Sequence, residues 1–252
     1  MAYVVNTSDL QPTHANNFIF KYADDSYLIV PSQNTHTIPA ELLSIKSWAS
    51  TNNLKLNDNK SVELIVRKKT TPANSLPPTT PGIQRTEQLH ALGIILDCYL
   101  TFSSHIEKTL AKGHQSLFAL KILKSKGLIG MALHQACQAY LMSSLTYALP
   151  SWWGFLTNTQ KQQLQALQNK AHRWGLDGGI PIDTIDMVAS NMDSRLFQKI
   201  IANENHVLFH LLPPLRPIAY SLRPRPHNHI IPRCSKLQEK SFIHRMLNKD
   251  SY

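Results

Sequence analysis

Phe18-Ile19-Phe20-Lys21-Tyr22-Ala23-Asp24-Asp25-Ser26-Tyr27-Leu28-Ile29-Val30-Pro31 places two apolar, β-prone runs on either side of adjacent carboxylates. Period and flanking residues predict a strand, a tight turn and a returning strand that Pro31 closes. Such a turn lifts Asp24 and Asp25 onto one exposed tip. Carboxylates between apolar strands are unfavourable without compensation, and a divalent cation commonly supplies it. Phosphoryl-transfer enzymes use such carboxylates to hold two magnesium ions about 3.5–4 Å apart around an in-line displacement. Asp also suits polar hairpin turns in its own right, so the pair alone leaves a purely structural turn open. Tyr22-Ala23-Asp24-Asp25 with apolar strands on both sides is far more specific than the pair.

That composite resembles the catalytic box of reverse transcriptases. The text around it, from Val4-Val5-Asn6 through Lys60 to Trp152-Trp153-Gly154-Phe155-Leu156, resembles the enzyme of non-LTR (LINE-type) retrotransposons, in order along nearly the whole chain. The resemblance implies an RNA-directed DNA polymerase, a nucleotidyltransferase. Its partners would be an RNA template, a DNA primer and deoxynucleotides, and its cofactors two Mg2+ (or Mn2+) ions in the intact enzyme. Asp24 and Asp25 would be catalytic and hold metal, with Tyr22 against the nucleic acid. Lys60, in the polar turn Leu54–Ser61, resembles the lysine that protonates or neutralises departing pyrophosphate; by spacing alone it reads as a solvated surface lysine. Leu92-Gly93-Ile94-Ile95-Leu96-Asp97 is a short buried strand with a glycine at its start, and it resembles the hairpin supporting the primer 3′ end. Taken alone, Gly93 would allow close approach of a backbone, although a β-bulge is the commoner reason for a strand glycine.

In the family, the segment resembling Tyr3–Leu10 follows a glycine-rich motif, and a strand carrying another metal-binding Asp comes earlier still. Neither is in this sequence, so the expectation is the C-terminal part of a polymerase, entered midway through the palm. The alternative is a catalytically dead nucleic-acid-binding remnant of a truncated element, with a host-adopted scaffold as a third case.

Composition sets the outer limits. The chain's 252 residues, 42% apolar, can build a real core, while 15 prolines against 9 glycines suggest long irregular connections. Cys98, Cys137 and Cys234 are odd in number and widely spaced, which reads as reduced thiols rather than a disulfide framework or zinc ribbon. His227, His229, Cys234 and His244 fit no zinc knuckle or finger spacing, so no structural zinc is expected. No basic-then-apolar leader opens the chain, which predicts an intracellular protein, nuclear or cytoplasmic, that is not secreted.

Charge is unevenly placed. Residues 1–100 carry 8 Lys+Arg and 8 Asp+Glu; residues 101–252 carry 18 and 8, so the whole +10 excess lies in the second part. A basic half beside a carboxylate-tipped half suits a phosphate-backbone partner. Membrane attraction or plain solubility would use the same charge.

Between these landmarks, Pro39, Leu42, Ile45 and Trp48-Ala49 predict an amphipathic helix over 37–52, packed on a sheet and ended by Asn52-Asn53. Val62–Arg67 alternates as a strand, and Thr70–Pro81 is a proline-rich loop. From Ser103 the period becomes helical. Ile106, Leu110, Leu117 and Leu120 mark a helix ending in Lys121, Lys124 and Lys126 before Gly127. Those lysines read either as helix capping or as phosphate contacts. Residues 127–160 hold no Asp, Glu, Lys or Arg, yet His134, Gln135, Gln138, Ser143, Ser144 and Thr146 interrupt the run. A membrane span needs about 20 predominantly apolar residues, so a buried helix through Leu133, Cys137, Tyr140-Leu141, Ser144 and Ala148 is expected and no membrane partner. Leu164, Leu167, Ala171 and Trp174 mark a third helix, and Trp152 and Trp153 are read as core anchors.

Segment 208–252 interleaves Arg216, Arg223, Arg225 and Arg233 with prolines, an extended basic arm, and Ser235–Leu247 suggests a short final helix. The expected fold class is α+β. A partial polymerase palm (an antiparallel hairpin sheet with a packed helix) spans 1–100, an α-helical thumb-like bundle 101–176, and an extension with an irregular basic Pro/Arg-rich tail 177–252. Resemblance and charge together nominate Tyr22, Leu92, Gly93, Lys121, Lys124, Lys126, Arg223 and Arg225 for nucleic acid.

Overall fold

The computed structural model describes residues 9–216 and 227–249. It is an α+β chain in two compact units, one drawn from residues 1–90 and 97–99, the other from 91–96 and 100–252.

In the first unit, β1 (Phe18–Tyr22) and β2 (Asp25–Ile29) pair antiparallel from Phe18↔Ile29 to Tyr22↔Asp25. Only Ala23 and Asp24 remain for the loop, and Ala23 takes a φ of 51°, the left-handed region that two-residue hairpins require at their first loop position. Period two sends Phe18, Phe20 and Tyr22 to one side, where they stay 42–64% exposed. On the other side Lys21 Nζ donates to the Leu10 carbonyl at 3.0 Å. α1 (Ile38–Thr51) ends as expected: Asn53 adopts φ 56°, and the Asn53 and Leu54 amides bond back to the Ser50 and Ala49 carbonyls. Its apolar face is only half-buried. The most enclosed side chains are Ala49 and, against the amphipathic reading, Glu41.

The expected strand over 62–67 is shorter. β3 (Val62–Leu64) runs parallel, not antiparallel, to β4 (Gln84–Thr86). The proline-rich loop between them makes the parallel crossover, held by Arg85, which donates to the Pro77 and Pro78 carbonyls and to Glu63 Oε2 at 2.7 Å. β5 (Gln88–Ala91) and β6 (Ile94–Asp97) form the remaining ribbon around Leu92-Gly93. Gly93 therefore lies in the turn, at φ 84°, and not within the strand. Every sheet among the described residues has two strands.

The second unit is helical. α2 (Ser103–Ser125) buries Ile106, Leu117 and Leu120, as its period predicts. α3 (Gly130–Cys137) runs through a π-helical turn, Gln138–Met142, into α4 (Ser143–Thr146). That turn corrects the sequence reading. Leu133, Cys137, Leu141 and Leu145 recur strictly every fourth residue, a repeat that drifts around a plain α-helix; a turn with i→i+5 bonding keeps all four in the core. Tyr140 is thereby turned outward, 58% exposed, and the helix stops before Ala148.

α5 (Leu149–Trp152) delivers Trp152 and Trp153 to the core, as read; Trp152 Nε1 donates to the Tyr147 carbonyl at 3.0 Å. α6 (Asn158–Arg173) opens with a capping box between Thr157 and Gln160. Thr157→Ala is expected to cost about 1 kcal/mol of stability, measured by chemical denaturation. α7 (Ile185–Ala202) has no counterpart in the sequence reading, although Thr184 caps it by accepting from the Met187 amide, and Ile185 and Ala189 enter the main core. The final helix is also shorter than expected: a 3-10 turn at Gln238–Lys240 precedes α8 (Phe242–Asn248), whose Met246 and Leu247 pack with Phe197. No helix among the described residues is long and apolar enough to cross a membrane.

Candidate active site

The hairpin β1–β2 places Asp24 and Asp25 together at an exposed tip beside Tyr22, which is 64% exposed. Neither carboxylate has a hydrogen-bond or ion-pair partner among the described residues. Their oxygens are acceptors facing solvent, the disposition a hard cation requires.

The tip is steadied from below by a polar core that the sequence reading passed over. Glu41 has a fully enclosed side chain in the first turn of α1. It accepts from the Thr13 amide at 3.0 and 3.1 Å, the His14 amide at 2.9 Å and Asn17 Nδ2 at 2.8 Å. Asn17, the residue before β1, also donates to Thr37 Oγ1 and accepts from Asn34 Nδ2. Burial alone would raise the Glu41 carboxyl. The converging N–H donors of Thr13, Asn17 and His14 outweigh it and lower the pKa from 4.5 to about 2. Glu41 therefore stays ionised and fixes where β1 begins. The only signal for it in the sequence is an acidic residue in a helix's first turn, which reads more simply as dipole compensation.

Lys60 lies exposed in the turn before β3, and its ammonium forms no hydrogen bond or ion pair among the described residues. Leu92 and Gly93 form the β5–β6 turn. Tyr147 covers it: its hydroxyl donates to the Leu92 carbonyl at 2.8 Å, and a Cβ at Gly93 would sit 3.3 Å from the Tyr147 ring. The close approach that Gly93 permits is therefore made by this tyrosine.

The lysines at the end of α2 do something more specific than cap their own helix. Lys124 Nζ donates at 2.7 Å to the carbonyl of Trp174, the C-cap residue of α6. Lys121 Nζ stands 3.5 Å from the centroid of the Trp174 ring, and Lys170 Nζ 4.8 Å from it. Lys126 is the exposed C-cap of α2. Trp174, read from sequence as a core position, is half-buried and gathers cations. The i, i+4 spacing of Lys170 and Trp174 was the available signal. Arg223 and Arg225 lie outside the described residues.

His227, His229 and His244 are engaged by oxygen atoms of the fold: His227 with the Leu247 carbonyl, His229 with that of Pro213, and His244 with the Ser241 hydroxyl. Cys98 and Cys137 are buried and Cys234 half-buried, all as free thiols; burial pushes the Cys137 thiol up to about 11.

No family model matches the chain, and no solved structure matches it. Over 187 residues it is 25% identical to a Drosophila melanogaster protein named "Probable RNA-directed DNA polymerase from transposon BS". The match covers 69% of this chain and 21% of that protein, so the chain spans about a fifth of its relative's length. This likeness supports a relationship to the reverse transcriptases.

Proposed function

We propose that this chain is the C-terminal palm and thumb portion of a non-LTR reverse transcriptase. The observation that carries the reading is the pair of exposed carboxylates, Asp24 and Asp25, at a two-residue hairpin tip and without a partner among the described residues. The relative's name supports the same reaction class. In that reaction a primer 3′-hydroxyl attacks the α-phosphate of a deoxynucleotide, forming a new P–O bond as pyrophosphate leaves.

The residues at the tip fit a divalent cation in part. Magnesium is commonly held by one or two carboxylates, with water and substrate phosphates completing an octahedron. Asp24 and Asp25 would hold Mg2+ or Mn2+, which when bound neutralises charge on the phosphoryl oxygens. Tyr22 offers its exposed ring beside the tip, and Lys60 carries the positive charge assigned to the pyrophosphate side. The basic helical unit and its tail supply lysines and arginines for the template–primer backbone.

Among the described residues no group of three metal-ligating side chains forms. The further metal-binding Asp that the resemblance implies is not among the residues at the tip, so the chain by itself is expected to bind a template–primer without extending it, which also accommodates the reading as a non-catalytic nucleic-acid-binding remnant. Millimolar Mn2+ should selectively broaden the amide resonances of residues 22–27, and Asp24→Asn with Asp25→Asn should abolish the effect. Broadening that ignores the tip would overturn the metal assignment. Primer extension on an RNA template above the level of that double variant would overturn the expected inactivity of the chain alone.

A further inference from the structure

Between Glu107 and Asp177 the sequence contains no acidic residue, yet it holds eight lysines and arginines. The fold does not spread this charge evenly. α2 and α6 end near one another, each in a glycine turn with paired back-bonds: Gly127 and Leu128 to Lys124 and Leu123, Gly175 and Leu176 to His172 and Ala171. Lys121, Lys124 and Lys170 meet there on Trp174.

Among the described residues no carboxylate forms an ion pair with Lys121, Lys124 or Lys170. Glu107 lies fourteen residues up α2 from Lys121, roughly 20 Å at helical rise. Asp177 follows α6 but is buried, with its Oδ2 2.6 Å from His172 Nδ1 and its Oδ1 accepting from the Gly179 amide. The Lys121 and Lys170 ammonium groups have no carboxylate or carbonyl partner among the described residues; each rests on the indole. Arg173 and Lys126 are exposed beside them in sequence. Like charges held close are unfavourable unless something compensates. The π-face and the helix C-termini compensate only in part. An ammonium resting on a ring keeps N–H donors that an anion can take up.

We infer that Trp174 is a positioning residue that assembles Lys121, Lys124 and Lys170 into a phosphate-binding cluster, and that backbone phosphates of the nucleic acid occupy it. This rests on the polymerase reading for the identity of the ligand, while the cluster itself rests on the geometry around Trp174. With both lysines on the indole, the ring serves as their platform and is not offered to a base.

The test uses the full chain with an RNA–DNA hybrid, followed by fluorescence anisotropy across a salt series. Lys121→Gln with Lys170→Gln should lower the magnitude of the log K against log salt slope by roughly 2, about 0.9 per contact as on B-form DNA, and weaken binding roughly ten-fold or more at moderate salt. Trp174→Leu should do the same although it removes no charge, and Trp174→Phe should restore most of the slope because it keeps a π-face. Thermal melting checks that Trp174→Leu folds; the double lysine variant, altered only at the surface, keeps the test valid if it does not.

A second measurement needs no nucleic acid. With 5-fluorotryptophan incorporated, tripolyphosphate should shift the Trp174 fluorine resonance and leave Trp48 unmoved, and the double lysine variant should lose the shift. An unchanged slope in the variants, with the wild type binding the hybrid, would overturn the inference and leave the polymerase reading standing. No hybrid binding with a clear tripolyphosphate shift would retain the phosphate cluster and overturn the polymerase reading. Neither response would overturn both.

Discussion

Arg245→Met is expected to destabilise the helical unit by about 3–5 kcal/mol and to release α8 from it, because it strands a buried carboxylate. Asp193, on α7, is buried, and the Arg245 guanidinium reaches both of its oxygens while also donating to the Pro150 carbonyl at 2.9 Å and the Lys240 carbonyl at 3.2 Å. One side chain therefore ties α8 to α7 and to the tryptophan-bearing α5. The same packing explains Gly154, where a Cβ would lie 2.2 Å from the Lys240 carbonyl oxygen and 2.4 Å from Arg245 Nε. Gly154→Ala should displace the same latch by steric pressure, without touching a charge.

Burial already pushes the Asp193 carboxyl up, with Arg245 opposing it. In Arg245→Met that opposition is gone, so burial should raise the Asp193 carboxyl further. An acid whose folded pKa is raised binds more protons when folded. The stability of the variant should accordingly fall as pH rises through the raised pKa, and its defect should shrink in acid. Urea denaturation at several pH values checks this, with hydrogen exchange in α8 as the local readout. Asp193→Asn in the same background should recover part of the loss. A variant as stable as wild type at neutral pH would refute the latch.

Glu41→Gln is expected to destabilise the first unit by about 3 kcal/mol or more, since it exchanges charge-assisted acceptance from three donor groups for an amide that adds its own N–H groups. The consequence is large because this unit has little apolar core: Phe18, Phe20, Tyr22, Ile29 and Leu43 are all exposed. The pH dependence follows from a folded pKa of about 2 against the usual 4.5. A depressed carboxyl pKa contributes stability that is present above 4.5 and lost as pH falls toward 2. Wild type should lose this stability across that window, and Glu41→Gln should lack that part of the acid transition. Hydrogen exchange of the β1 and β2 amides is the measurement, because Asn17 links Glu41 to the start of β1. Unchanged protection of those amides in the variant would show that the hairpin tip does not depend on this network.

The hairpin was legible in the sequence because its signals are local: alternating apolar residues, two carboxylates and a closing proline, with a register that places Tyr22 opposite Asp25. The helices at 38–51, 103–125 and 158–173 were legible for the same reason, and so were Trp152 and Trp153 as core. One misreading came from periodicity that the backbone itself alters. The π-helical turn absorbed the drift of Leu133, Cys137, Leu141 and Leu145, which no α-helical template anticipates. The parallel pairing of β3 with β4 depends on how a proline-rich loop is held by Arg85, a contact invisible to a two-residue period.

The site divides along the same line. Asp24 and Asp25 were readable as a pair because they are neighbours in the chain, and Lys170 with Trp174 could have been read from one helix face. Tertiary structure alone decided the rest. A glutamate's burial depends on donors 24 to 28 residues away, and the lysines of α2 acquire their role from a ring and a carbonyl about 50 residues further on. Hydrogen bonds and cation–π contacts act over a few ångströms of space whatever the separation along the chain, so a sequence states which groups are available and the fold determines which of them meet.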